Sequence, residues 1–218
     1  MPFYAVANGR NIGIFSTWNE CNESIKGFKQ SRFKKFNTKE EAENFIQHYR
    51  EPSSETSQEF IPDYYVYTDG ACSNNGSPSA KAGIGIYFTP NDPRNLSQRV
   101  DGKQSNNTAE LTAIIKTFSI IENDLLSGKK ISIMTDSQYS IRCCTTYGEK
   151  CSQQNWNLDI PNKELVRTAY DIYKNISNVR FVYIKAHTNA TDIHSIGNDN
   201  ADRLANLSIG LENCPYQK

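Results

Sequence analysis

The sequence predicts an α/β fold in two parts: a mixed five-stranded sheet flanked by helices, preceded by a small α+β domain with a three-stranded sheet. Three observations carry this. Strand-like segments at 64–68, 82–88 and 96–100 follow one another directly, and those at 130–134 and 179–184 alternate with helices. Early antiparallel strands followed by strand–helix alternation make a mixed sheet with helices on both faces. The stretch EPSSETSQEFIPD, residues 51–63, is polar, holds two prolines and has no helical or strand period, so it reads as a linker. The domains are therefore expected at 1–50 and 64–210, with a tail at 211–218.

The elements follow in order. Residues 3–7 form a strand, Asn8-Gly9-Arg10-Asn11 a turn, and 13–15 a returning strand. Thr17-Trp18-Asn19-Glu20 has the Thr-x-x-Glu form of a capping box and opens a helix. Residues 32–36 give a third strand. Thr38-Lys39-Glu40-Glu41 is a second capping box, opening a helix with Ala42, Phe45, Ile46 and Tyr49 on one face. In the second domain the strongest helix spans 107–121, with Leu111, Ile114, Ile115, Phe118 and Ile121 at core spacing. Further helices are expected at 137–144, 162–174 and 199–207.

Composition narrows the function classes. The 218 residues are 37% hydrophobic and 22% charged, ordinary for a globular protein. No apolar run reaches the ~20 residues of a membrane helix. Met1 leads straight into strand-like Phe3-Tyr4-Ala5-Val6, and no secretory or mitochondrial signal is evident, so nuclear or cytoplasmic residence is expected. Six cysteines (Cys21, Cys72, Cys143, Cys144, Cys151 and Cys214) form no C-x-x-C pair and read as free intracellular thiols. The adjacent Cys143 and Cys144 leave a redox role as the minor alternative. Net charge is zero, but residues 1–50 carry eight Lys and Arg against five Asp and Glu, while the rest carry 16 against 19. A basic first domain fits a nucleic-acid partner.

Four of those acids stand apart. Asp69 lies in YTDGACSNNG, Glu110 in SNNTAELTAI, Asp136 in IMTDSQYS and Asp202 in IGNDNADRLA. Each neighbours apolar residues that would bury it, and unpaired buried carboxylates are costly. Gathered together they repel unless cations neutralise them. That points to hard divalent ions and metal-assisted chemistry on a phosphate. Asp69 is expected to end the first strand of its domain, with Gly70 turning the chain. Asp136 is expected to end the central strand and cap the next helix. Glu110 and Asp202 fall on helices, and Asp199 is expected to cap or start the last of these.

These segments resemble type 1 ribonucleases H. YTDGACSNNG, NNTAEL, TDSQY and GNDNADRLA are similar to the family's four active-site segments, and FYAVANGRNIGIFSTWNEC and SRFKKFNTKEEAENF to the hybrid-binding domain that precedes the catalytic domain in cellular members. The resemblance implies an endonuclease that cuts the RNA strand of RNA–DNA hybrids by two-metal catalysis, leaving 5′-phosphate and 3′-hydroxyl ends. It implies two Mg²⁺ ions, with Mn²⁺ able to substitute, held by Asp69, Glu110, Asp136 and Asp202. By the same resemblance His187 assists proton or metal steps that release product, with His194 in the same stretch as the minor alternative. Asn75, Asn106 and Asn107 would read ribose 2′-hydroxyls, a task suited to short amides. Ser105 and Asn162 would grip a DNA-strand phosphate. Trp18, Phe33, Lys34 and Lys35 would bind hybrid in the first domain.

One departure from the family is visible. The basic, tryptophan-bearing protrusion of many members is shortened here to YGEKCSQQNWNLDI, with Lys150 its only cation and Trp156 its only tryptophan. The first domain is then expected to supply more of the binding, its tether raising the local concentration of hybrid. A monomer without an obligate protein partner fits the domain plan. The rival readings are a hybrid-binding protein that does not cut, and a junction resolvase or reverse-transcriptase fragment of the same fold. Four intact carboxylates disfavour the first, and the N-terminal module disfavours the others.

Overall fold

The computed structural model describes residues 2–50, 60–186, 188 and 190–211. The chain divides into two compact units, Met1–Phe60 and Ile61–Lys218. His187, most of the expected linker (51–59) and most of the expected tail (212–218) lie outside the described residues.

The first unit holds β1 (Phe3–Asn8), β2 (Gly13–Phe15), α1 (Trp18–Ile25), β3 (Arg32–Phe36) and α2 (Lys39–Arg50). β1 is central, antiparallel to both neighbours, in the order β2-β1-β3. Its period of two sends alternate side chains to opposite faces. Ala5 is buried with Ala42 and Ile46 of α2, joined by Phe3, Phe36 and Phe45. Val6 is buried with Cys21 and Ile25 of α1, joined by Tyr4 and Phe15. Each sheet face therefore receives one helix. Both helices begin on the expected capping boxes. Glu20 N donates to Thr17 Oγ1 at 3.3 Å while Thr17 N donates to Glu20 Oε2 at 3.1 Å. Thr38 and Glu41 exchange the same pair of bonds, both at 3.3 Å. A cap of this kind contributes about 1 kcal/mol.

The second unit holds β4 (Tyr64–Ser73), β5 (Lys81–Tyr87), β6 (Leu96–Arg99), α3 (Asn106–Leu126), β7 (Ile131–Thr135), α4 (Gln138–Cys144), α5 (Thr146–Gln153), α6 (Lys163–Tyr173), β8 (Val179–Tyr183) and α7 (Ile193–Ser208). The sheet order is β6-β5-β4-β7-β8, with the first three strands antiparallel and β4, β7 and β8 parallel. Val66, Ile84, Ile86, Leu111, Ile114, Ile121, Ile131 and Ile133 form the main core with α3 and α6. On the other face, Tyr67, Tyr87 and Met134 pack against Ala201 of α7.

Three expectations change here. Asp69 does not end its strand: β4 runs on to Ser73, and Asp69 pairs with Gly85 of β5. The sequence TDG predicts a turn through glycine's flexibility, whereas Gly70 serves here through its lack of a Cβ, which makes room for Ala109 and Glu110. Asp136 does not cap α4; the cap is Ser137, whose hydroxyl accepts from Ser140 N. α7 begins at Ile193, capped by Asp192, so Asp199 falls inside the helix. The cap signal seven residues upstream of Asp199 is faint in the sequence because Ile193, Ile196 and Gly197 give a weak apolar period. The shortened protrusion contains α5 and then folds back: Trp156 N donates to Cys151 O at 2.9 Å, and its ring lies 6.3 Å from that of Tyr170. Trp156 packs.

The cysteines of this region are inert. Cys143, Cys144 and Cys151 are buried. Burial pushes the Cys143 thiol up to about 11 and Cys144 higher still, so both stay protonated. The redox alternative loses its thiolate.

Candidate active site

The site forms where β4, β7, α3 and α7 converge, and two glycines decide it. β4 and β7 pair in parallel as far as Tyr67 and Met134. Two residues further along the same register stand Asp69 and Asp136. Glu110 reaches them because α3 crosses β4 at Gly70. A Cβ on Gly70 would stand 2.6 Å from the Ala109 carbonyl carbon and 2.8 Å from the Ala109 Cβ, closer than any real contact. Gly85, opposite Asp69 on β5, does the same for α7 on the other face: its Cβ would stand 2.6 Å from Ala205 N and closer to the Ala201 carbonyl oxygen. The next residue of α7 is Asp202.

Asp69, Glu110 and Asp136 each offer a carboxylate oxygen, and the three lie within 4.8 Å of one another. Asp69 and Glu110 are each only 6% exposed. Asp202 falls outside that triad but lines the same cavity of about 550 Å³, together with Asn106 and Asn206. Burial, then the charges of Glu110, Asp136 and Asp202, hold the Asp69 carboxyl well above its usual range. Burial, then Asp136, does the same to Glu110, against a hydrogen bond from Asp69 that lowers it. Glu110 Oε2 is buried without a hydrogen-bond partner. An orphaned carboxylate oxygen beside two others is a donor set made for a hard cation, which would supply the missing partner and cancel the repulsion.

Two amides on α7 hold the outer acids. Asn198 Nδ2 donates to Asp136 Oδ2 at 3.4 Å, and Asn206 Nδ2 donates to Asp202 Oδ1 at 2.9 Å. Sequence reading missed both, although Asn198, Asp202 and Asn206 repeat every four residues, the spacing of one helix face. Asp199 is exposed and does not line the cavity. His194 belongs to the packing: its Nδ1 lies 3.2 Å from the Tyr67 hydroxyl and its ring 4.8 Å from Tyr65.

Of the other residues singled out, Asn75 and Asn106 are joined, Asn106 N donating to Asn75 Oδ1 at 3.3 Å. Asn107 is exposed on the next position of α3. Ser105 caps α3, its hydroxyl accepting from Thr108 N. Asn162 Oδ1 accepts from Lys103 Nζ at 3.2 Å. Lys103 is a cation that sequence reading passed over, and it gives this neighbourhood the charge a phosphate needs.

In the first unit, Trp18 and Phe33 are 45% and 42% exposed, with ring centroids 5.8 Å apart. Tyr4 lies 5.9 Å from Trp18, and Lys35 Nζ sits 5.9 Å over the Tyr4 ring. Lys34 pairs with Ala5 and leans over Phe36, on the α2 face. The two lysines thus face opposite ways, and Lys35 alone shares a surface with Trp18 and Phe33.

A family model for RNase H matches residues 62–209, two thirds of the chain, and one for the Ribonuclease H1 N-terminal domain matches residues 2–46. The chain belongs to the ribonuclease H family. It is 32% identical to the Ribonuclease H of Schizosaccharomyces pombe, over 93% of this chain and 95% of that protein. It is 28% identical to the Ribonuclease H1 of Mus musculus, over 93% of this chain and 87% of that protein. The foamy viral protease-reverse transcriptase in complex with dsDNA shares the fold, with a TM-score of 0.56 at 20% identity over 69% of this chain and 96% of that one. Ribonucleases H hydrolyse the RNA strand of RNA–DNA hybrids at divalent metal ions, and in this chain every element from β4 to α7 lies within the matched residues.

Proposed function

We propose that this chain carries out that reaction with two Mg²⁺ ions held by Asp69, Glu110, Asp136 and Asp202, leaving 5′-phosphate and 3′-hydroxyl ends. The observation that carries the reading is the set of three carboxylate oxygens within 4.8 Å, two of the residues buried and one oxygen unpartnered. Bound divalent ions supply an activated water and stabilise the departing ribose 3′-oxygen. The protein supplies the rest. Asp69 and Glu110 present their oxygens from a strand and a helix locked by Gly70. Asn198 and Asn206 fix the aim of Asp136 and Asp202. Asn75, Asn106 and Asn107 stand at the start of α3, where amides that both donate and accept suit ribose hydroxyls. Lys103, Ser105 and Asn162 suit a DNA-strand phosphate. The exposed Trp18–Phe33–Lys35 surface suits sugar rings and a phosphate, and binds the hybrid.

His187 keeps its role as a proton or product-release residue on the resemblance of its segment. The same reading takes the protein as a monomer of the nucleus or cytoplasm. The test is direct: labelled RNA–DNA hybrid, double-stranded RNA and four-way junctions are incubated with Mg²⁺. Only the RNA strand of the hybrid should be cut. Asp136→Asn should retain hybrid binding and lose cutting by about a thousandfold or more, a barrier increase of about 4 kcal/mol. Full activity in that variant, or cutting of junctions instead, overturns the assignment.

A further inference from the structure

The cavity is rich in acceptors and poor in free donors. Of its side chains that can donate, Cys72 Sγ is directed to Ser73 O at 3.6 Å, Ser73 Oγ to Lys81 O at 3.5 Å, and the Asn206 amide to Asp202. Asn106 and Tyr183 remain, and neither side chain has a hydrogen-bond partner among the described residues. Asn106 already has a place in the reading above. Tyr183 does not.

Tyr183 is the last residue of β8 and pairs with Thr135, the residue before Asp136. Ile184 N donates to Thr135 O at 3.0 Å, so the backbone on both sides of Tyr183 is tied to the strand that delivers Asp136. Two residues earlier, Phe181 is packed edge-on against Tyr173 at 5.0 Å. Among the described residues Tyr183 has no such partner, and it is 48% exposed at the cavity wall. A phenol hydroxyl carries an O–H that can donate a hydrogen bond. A donor held beside carboxylates that accept is suited to an oxygen the substrate brings in.

We propose that Tyr183 binds the RNA strand, its hydroxyl donating to a non-bridging phosphate oxygen next to the scissile linkage. This rests on the hybrid-nuclease reading above. The ring packs on the adjoining ribose, and the rigid end of β8 ties that phosphate to Asp136. Hydrogen bonds to a charged oxygen are shorter and roughly twice as strong as neutral ones, because the full charge strengthens the attraction to the donor.

The experiment compares wild type, Tyr183→Phe and Tyr183→Ala on hybrids whose RNA strand carries a single methylphosphonate at each position in turn. Wild-type cutting of the unmodified hybrid checks the underlying reading in the same tube; its absence sinks both. Tyr183→Phe should lose about tenfold or more in kcat/KM on unmodified hybrid, as expected for one hydrogen bond to a charged group. Its melting temperature should not change. One methylphosphonate position should impair wild type yet leave Tyr183→Phe no worse than before, which a structural role would not produce. Tyr183→Ala should lose more, through the ring. Tyr183→Phe equal to wild type, or equally impaired at every modified position, overturns the contact.

Discussion

The two units place charge in opposite ways. In the first, cations and aromatic rings stay at the surface: Trp18 and Phe33 are nearly half exposed, and Lys35 lies over Tyr4. In the second, Asp69 and Glu110 are buried, and the neighbouring acids Asp136 and Asp202 push both carboxyls up. The first arrangement costs little to build and gives a surface that holds a polyanion through salt-sensitive contacts. The second stores repulsion that a cation relieves. Binding needs residues that water can reach, whereas metal-assisted cutting needs acids that water has largely left.

The sharpest way to break the second arrangement is to fill its space. Gly70→Ala should move α3 off β4, cut hybrid hydrolysis by orders of magnitude, and cost about 1–3 kcal/mol, as overpacking does. Activity assays and denaturant titration measure both. Wild-type values for both would show that α3 does not depend on that close approach.

The stored repulsion predicts a pH effect with a definite sign. Asp69 and Glu110 have raised folded values, so the folded state keeps protons that the unfolded chain releases near pH 4. Their contribution is therefore fully present in acid and is lost as pH rises from about 4 through the raised values. In chelator, the melting temperature should fall from pH 5 to pH 8. Millimolar Mg²⁺ should restore it, and by more at pH 8 than at pH 5. Asp69→Asn should melt higher than wild type in chelator at pH 7, by about 2–4 °C per kcal/mol of repulsion removed. A variant that melts lower would mean the carboxylates are not in conflict.

The smallest expected effects fall on the first unit. Lys34→Ala with Lys35→Ala should weaken hybrid binding and lower its salt slope, about one for each lost phosphate contact. The larger share should come from Lys35, which shares its face with Trp18 and Phe33. Binding isotherms at several salt concentrations separate them, and an equal share for each lysine would mean that Lys34 swings round the edge of β3.

Much of this was readable without coordinates. The capping boxes at Thr17 and Thr38, the core stripe of α3 and the segments carrying the four acids are local patterns, and a sequence displays local patterns directly. The errors share a cause. Gly70 looked like a turn residue, but its lack of a Cβ serves a helix that arrives 40 residues later. Asp136 looked like a cap because Ser137 beside it was equally eligible, and only the bond to Ser140 N decides between them. Lys34 and Lys35 looked like a pair, although strand alternation alone could have set them on opposite faces.

The sequence by itself determined which residues are chemically able to act: the four carboxylates, the amides beside them, and the aromatic and basic residues near the first capping boxes. Only the tertiary structure decided which of these stand together. Glu110 and Asp202 approach Asp69 because Gly70 and Gly85 let two helices close on one strand pair from opposite faces, Asn198 and Asn206 gain their places from the closure of α7, and Tyr183 gains its place from the pairing of β8 with β7. Van der Waals exclusion between distant segments sets those distances, and the short-range pattern of a chain does not contain it.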